Sequence, residues 1–543
     1  MAQVIIENPV INSPFEEPAR HFKFDETGIT NEIAPFRRPS SYFVPIARPR
    51  KTGGKTQRTF EDWRSDRVEE SRDVNRIRQR VQTWRNGRYA DDVSRTTARL
   101  LKYWRSPDRH RRLFFCQIEA LETLIYITEV ARKYGDTWIE NEIRRFSEEA
   151  NPGLYRLACK LATGAGKTVV MAMAIAWHTL NKLANPQDAR FSDAFLIVTP
   201  GITIRDRLRV LLPNDPQNYY RAMEIVPDDL QDEMRKARVL ITNYHAFIRR
   251  EKVSAGKLTK AILASGLARN QESALTESEG EMIRRVTRDL GAKRNIVVLN
   301  DEAHHCYRHK VDSSGSGNGE KLTAEDRHEA EQNNQAARVW ISGLESLARI
   351  TGIRAIYDLS ATPFFLRGSG YSEGTLFKWV VSDFSLIDAI ESGIVKVPRV
   401  PVSDDSGAGE QPTYRDLWLQ IRDNLPKKGR GTENVAAEPR LPVQLEGALQ
   451  SLYGHYKKSF EHWQQTAESS AGATTPPVFI VVCNNTNVSK MVFDFIAGWE
   501  KKLPDGTAAA VPGRLELFSN VRDGRFTSRP NTILVDSRQL ESG

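Results

Sequence analysis

Short apolar runs recur through the middle of the chain, and each breaks off in a polar or glycine-bearing cluster. Leu157–Leu161 leads into Thr163-Gly164-Ala165-Gly166-Lys167-Thr168, and Ala194–Val198 into Thr199-Pro200-Gly201. Arg238–Thr242 leads into Asn243-Tyr244-His245, and Asn295–Leu299 into Asn300-Asp301-Glu302-Ala303-His304. Arg354–Leu359 leads into Ser360-Ala361-Thr362-Pro363. Apolar runs of this length bounded by turn residues predict buried strands, and the helical patterns between them predict βαβ units. The fold class that follows is α/β, with a parallel sheet whose ligands lie at the carboxyl ends of its strands.

The flanking pattern differs. Residues 1–51 are Pro-rich with short extended pieces such as Tyr42-Phe43-Val44, and read as an arm laid on another domain. From Thr59 to about Tyr103, Trp63, Val68, Val74, Ile77, Val81 and Trp84 recur at spacings near three and four, which predicts a helix with one apolar face. Its dense arginines read as a solvated face paired in part with Asp66, Glu69 and Glu70. An amphipathic helix is expected from Leu113 to about Tyr134, and an inserted one around Trp138–Glu149. Ser254–Gly291 and Val311–Gln332 read as insertions, and Ser403–Glu438 as a linker with a short helix. Leu441–Thr466 is helical, Ala471–Pro477 a second linker, and Val478–Val482 and Thr532–Val535 are further expected strands. These divisions give an arm and basic helical region at 1–110, a domain around the five expected strands at 111–400, a linker with helical insertion at 401–476 and a further domain from 477 to 543.

Charge and composition narrow the class only a little. The 543 residues carry a formal charge of +9, a moderate basic excess that suits a polyanionic partner. Arg99–Arg112 mixes six basic residues with Tyr103 and Trp104, the composition that tracks a phosphate backbone and stacks bases. Four scattered cysteines without a C-x-x-C pair suit reduced, mostly buried thiols. The N-terminus has neither a basic nor an apolar signal region, and the longest apolar run, Val169–Trp177, is too short to span a bilayer. A cytoplasmic protein is expected.

The chemistry lies in the clusters. Gly164 and Gly166 let backbone N–H groups and a helix N-terminus approach an anion. Lys167 supplies a point charge for β- and γ-phosphates, and the Thr168 hydroxyl suits Mg²⁺. Leu161 stands where the first glycine of G-x-x-x-x-G-K-T would be, so only the second half of that pattern is met. Asp301 and Glu302 at the end of an apolar strand complete a phosphoryl-transfer set, with Asp301 on Mg²⁺ and Glu302 orienting the attacking water. The Gln117 amide can donate and accept at once, as an adenine edge requires. His304, His305, Cys306 and His309 suggest zinc at first sight, but His304 belongs with Asp301-Glu302, and the others follow it directly.

The ordered series Gln117, GAGKT, TPG, DEAH, SATP resembles the superfamily 2 helicases and translocases, in which two RecA-like domains close on ATP and step along nucleic acid. That resemblance implies that Gln117 reads adenine and that Thr163 to Thr168 cradle the phosphates. It implies that Thr199, Pro200 and Gly201 touch the nucleic acid backbone. Ser360, Ala361 and Thr362 would couple hydrolysis to movement, and His304 would link them to the ATP site. Asn12–Pro18 (NSPFEEP), FFCQIE, LNDEAHH, DAIESGIVKVPR and VDSRQLESG further resemble the restriction (Res) subunit of type III restriction-modification enzymes. Members of that family couple the motor to a C-terminal endonuclease and cut unmodified duplex DNA. ATP, Mg²⁺, double-stranded DNA and a methyltransferase (modification) subunit are the implied cofactors and partners.

Two departures from the family shape the expectation. No arginine-rich motif and no P-D…(D/E)-x-K nuclease signature precedes Gly543, so the chain reads as a fragment ending inside its second RecA-like domain. Without an arginine finger, worth roughly 10³-fold or more, slow turnover is expected. A stand-alone helicase, and a remnant that binds ATP and DNA without turnover, are the alternatives.

Overall fold

The computed structural model describes residues 6, 8–25, 28–44, 67–87, 89, 92–250, 276–309, 324–366, 369–371, 374–397, 417–426, 439–469, 475–502 and 507–535. The chain divides into two units, residues 1–397 and 398–543.

The first unit opens with two hairpins, β1 (His21–Asp25) with β2 (Gly28–Ala34) and β3 (Ser41–Val44) with β4 (Arg67–Glu70). Helices α1 (Arg72–Asn86), α2 (Arg95–Trp104), α3 (Phe115–Ile125) and α4 (Thr137–Ala150) follow. The central sheet is built from β5 (Arg156–Leu161), β6 (Ala194–Thr199), β7 (Arg238–Asn243), β8 (Ile296–Asp301), β9 (Ile353–Ser360) and β10 (Val380–Phe384). Their order is β10-β5-β9-β8-β6-β7, every pair parallel. Strands β5, β6 and β8 are buried along their whole length, as their unbroken apolar runs require when helices cover both faces. Helix α5 (Lys167–Ala184) follows β5, α6 (Ile202–Arg207) follows β6, and α7 (Glu279–Val286), α8 (Ala324–Ile350) and α9 (Leu386–Glu391) complete the layers. This is an α/β, RecA-like sheet.

The five expected strands of this sheet are all present, whereas the edge strand β10 was not anticipated. Several other expectations change. Helix α1 begins only at Arg72, because Val68 belongs to β4, paired with Phe43; Trp63, Arg64 and Asp66 lie outside the described residues. Its arginines are solvated only in part: Arg72, Arg76 and Arg80 are exposed, whereas Arg78 and Arg85 are drawn inward. Arg78 reaches the Asp383 carbonyl at 2.8 Å, Arg80 pairs with Asp136 at 3.2 Å, and Arg85 with Glu17 and Glu122, each at 2.8 Å. Every residue of α3 is buried, so that helix is a core element rather than an amphipathic one. In the Arg99–Arg112 segment, Trp104 is sealed in the core and donates to the Ile225 carbonyl, so it offers no face for a base. Arg99 is paired with Asp229, and Arg105 with Glu122.

The arm is anchored by its backbone. Ile11 and Asn12 N–H donate to the Glu391 carbonyl at 2.9 and 3.0 Å, and Phe115 N–H donates to the Pro14 carbonyl at 2.8 Å. Val74, Ile77, Val81, Trp84, Leu100 and Trp104 enter the same apolar core as β5 and α5.

The second unit contains helices α10 (Leu417–Ile421), α11 (Val443–Ser469) and α12 (Thr486–Ala497) and two antiparallel hairpins. These are β11 (Gly498–Lys502) with β12 (Ala508–Pro512) and β13 (Val521–Arg522) with β14 (Arg525–Phe526). The strands expected at Val478–Val482 and Thr532–Val535 are not formed: no ladder pairs either segment among the described residues, and Val478, Ile480, Val482 and Ile533 are exposed. A strand needs a neighbour to satisfy its backbone, and composition alone does not supply one. The expectations over 251–275, 310–323, 401–416, 470–474 and 536–543 lie outside the described residues. No helix of the described residues is long and apolar enough to cross a membrane.

Candidate functional site

The carboxyl ends of β5, β8 and β9 lie side by side, since Lys160 is in register with Ser360 and Asp301 with Leu359. The expected phosphate residues meet along this edge. After β5 the chain turns through Ala162–Gly166, with Gly164 at φ +87° and Gly166 at φ +85°. Both lie in the left-handed region that L side chains adopt only under strain. At Gly166 there is also no room: a Cβ would lie 2.2 Å from Gln117 Nε2. Gly166 is the N-cap of α5 and offers no side-chain cap, so the first N–H groups of the helix are left for another acceptor.

Gln117 is buried beneath this loop. Its Nε2 donates to the Ala165 carbonyl at 3.0 Å, and its Oε1 accepts from Phe114 N–H at 3.0 Å. One N–H and one lone pair of the amide remain, so the side chain supports the loop as well as having capacity to read a base edge.

Lys167 Nζ lies 3.2 Å from Glu302 Oε1. Asp301 is almost fully buried, and Arg207 of α6 approaches its Oδ2 at 4.0 Å. Burial raises the Asp301 carboxyl above its ordinary range, the Glu302 carboxylate adds to this, and Lys167 and Arg207 oppose it. A buried carboxylate raised in this way gains from a cation. Glu302 itself sits at φ +50°, an uncommon conformation for a residue with a side chain.

His304 Nδ1 and Ser360 Oγ share a hydrogen bond of 2.9 Å, and Thr362 N–H donates to the same hydroxyl at 3.1 Å. Burial, then the charge of His305, lowers the His304 pKa to about 4, so the ring is neutral near pH 7. His304 therefore touches the Ser360–Thr362 segment directly. Thr163 and Thr362 are exposed at the rim, and Thr168 and Ala361 are half-buried. The carboxylate pair, Thr168 and the bare helix end form a donor set of hard oxygens and N–H groups that fits a magnesium-bound triphosphate.

The Thr199-Pro200-Gly201 loop differs from expectation in one respect. The Thr199 side chain is buried and donates to the Gly201 carbonyl at 2.9 Å, so its hydroxyl braces the turn, and Pro200 and Gly201 are what the loop shows outward. The His–Cys cluster forms no zinc-ligand arrangement either. Among the described residues no group of three or more His, Cys, Asp or Glu could hold a metal ion, and burial pushes the Cys306 thiol up to about 12. Sequence reasoning missed Arg207, and it gave no role to Arg156, Asn300 or Asp358, which meet beneath the site. Their signal was present: polar side chains inside otherwise apolar strands.

Residues 113–344 match the family model of the type III restriction enzyme res subunit. This segment is similar to a res-subunit domain. The match covers less than half of the chain, running from just before α3 into α8. It includes Gln117, the phosphate loop, the Thr199 loop and Asp301–His304, and leaves β9, β10 and the second unit beyond it. No curated protein matches the chain. The match supports a helicase-like ATPase family for this segment.

Proposed function

We propose that the first unit is an ATP-driven motor acting on duplex DNA, serving a type III-like restriction endonuclease together with a methyltransferase subunit. The observation that carries this reading is the meeting of Lys167 with Glu302 at 3.2 Å beside buried Asp301, on the carboxyl edge of the sheet in the segment that matches the res-subunit model. Bound Mg²⁺ would supply charge neutralisation at the phosphates. Thr168 and Asp301 are the side chains that would hold it, and the N–H groups after Gly166 would hold phosphate oxygens.

Without nucleotide, Lys167 and Glu302 neutralise each other. A triphosphate competes for Lys167, and its arrival frees the Glu302 carboxylate to orient water and hold a proton. His304, neutral and hydrogen-bonded to Ser360, carries any displacement of the Asp301–His304 turn to the Ser360–Thr362 segment. Pro200 and Gly201 are the proposed backbone contacts on DNA.

Glu302→Gln is the direct test. In single-turnover assays with duplex DNA, the variant should keep Mg·ATP binding and lose roughly 10²–10⁴-fold in hydrolysis. Hydrolysis at the wild-type rate would remove Glu302 from the chemistry and with it this reading of the site.

A further inference from the structure

Directly beneath the ATP edge, three central strands are joined by a sealed polar network. Arg156 on β5 and Asp358 on β9 are both fully buried, with Nε 2.7 Å from Oδ2. Asp358 Oδ1 accepts from Asn300 Nδ2 of β8 at 2.8 Å, and Oδ2 also accepts from Trp379 Nε1 at 2.8 Å. Asn300 Oδ1 in turn accepts from Trp340 Nε1 of α8 at 3.2 Å. Arg156 Nη1 donates to the Asn151 side chain at 3.1 Å and to the Cys306 carbonyl at 2.9 Å.

The end points of this network are what give it a role. Asn300 immediately precedes Asp301, and Cys306 closes the turn that begins there. One ion pair therefore pins both ends of the Asp301–His305 turn, its N-terminal side through Asn300 and its C-terminal side through the Cys306 carbonyl. Within that turn Glu302 holds a left-handed conformation, which persists only where the surroundings over-determine it. Replacing a buried ion pair by apolar side chains often leaves a fold intact, so stability alone does not explain why charges stand here.

We infer that Arg156, Asp358 and Asn300 are positioning residues that hold the Asp301–His305 turn in register with Lys167 and Ser360. The inference rests on the reading of that turn as the ATP-hydrolysing element. None of the three touches nucleotide; they act through the backbone of the turn.

The test compares the unsubstituted chain with Asn300→Leu and with the paired Arg156→Met/Asp358→Leu variant, which removes both charges together so that neither is left buried alone. Amide hydrogen exchange is measured at His305 and Cys306, whose N–H groups close the turn onto the Glu302 and Ala303 carbonyls at 3.1 and 2.9 Å. Exchange there should rise on the order of tenfold while β6 keeps wild-type protection. In the same proteins kcat for ATP should fall roughly tenfold with KM changed less than about threefold. Unchanged exchange at the turn in folded variants, an equal rise in β6, or a kcat that does not move would overturn the proposal. A wild-type chain that bound no Mg·ATP would remove the functional reading, whereas the exchange pattern reports on the pinning itself, so the two failures are told apart.

Discussion

Two ion pairs, one between strands of the sheet and one between the start of α5 and the turn after β8, behave as opposites. Arg156–Asp358 has no solvent exposure on either side, and both Asp358 oxygens carry further hydrogen bonds. Lys167–Glu302 is a single contact of 3.2 Å with side chains 11% and 27% exposed, beside the Ala162–Gly166 turn. The first is fixed, because breaking it leaves a charge where water cannot reach. The second is exchangeable, because water can replace either partner and a phosphate can replace Glu302 at Lys167. The proposed motor role calls for both kinds, a frame that keeps the strands in register and a contact that nucleotide can break.

The comparison can be broken most severely at Arg156. Arg156→Ala alone should destabilise the first unit by about 3–5 kcal/mol, since Asp358 and the Cys306 carbonyl lose their buried partner. The paired apolar replacement should cost far less. Urea unfolding of both variants checks this, and equal losses would mean that the pair is not the frame described.

Gly166→Ala tests the exchangeable side. The backbone at φ +85° costs a side chain about 1–2 kcal/mol, and the new Cβ pushes Gln117 Nε2 off the Ala165 carbonyl. Thermal unfolding should show that modest loss, and nucleotide titration a much larger one. A variant that binds nucleotide as the wild type does would mean that the tight turn is not needed for phosphate.

The smallest effect concerns a second sealed group, His178 on α5, which shares a 2.8 Å hydrogen bond with the Tyr357 hydroxyl. Burial first, then the charge of Arg354, lowers its pKa from 6.5 to about 3. The unfolded chain takes up this proton near pH 6.5 and the folded chain only near 3. Its effect is therefore absent above pH 6.5, and stability falls as pH drops through that window. His304 shifts in the same direction, so His178→Leu/Tyr357→Phe should flatten only part of the slope between pH 6.5 and 4. Urea midpoints across that range measure it, and an unchanged slope would show that His178 does not titrate this way.

Much of the first unit was legible because its signals are local. An apolar run followed by Gly164-Ala165-Gly166-Lys167 names both a strand and the loop after it, and Asp301-Glu302 after Ile296–Leu299 does the same. What was not legible depends on partners distant in sequence. Nothing near Arg85 says that Glu17 and Glu122 will receive it, and nothing near Val68 says that Phe43 will pair with it and turn an expected helix into a strand. Val478–Val482 shows the converse, a strand-like run with no neighbour to pair with among the described residues. Asn300, Arg156 and Asp358 fall between these cases. Each is visible as a polar residue in an apolar strand, yet the bonds that give them a purpose come from the order of the strands.

On the proposed reading, the carboxyl edge of this sheet binds Mg·ATP through Lys167. Calorimetric titration of Mg·ATP into the wild-type chain and into Lys167→Ala tests it most directly. Saturable wild-type binding should weaken by about 1.5–3 kcal/mol, roughly 10- to 150-fold, when the charged partner of the phosphate is removed. No binding by a folded wild-type chain, or equal affinity in the two proteins, would contradict the account.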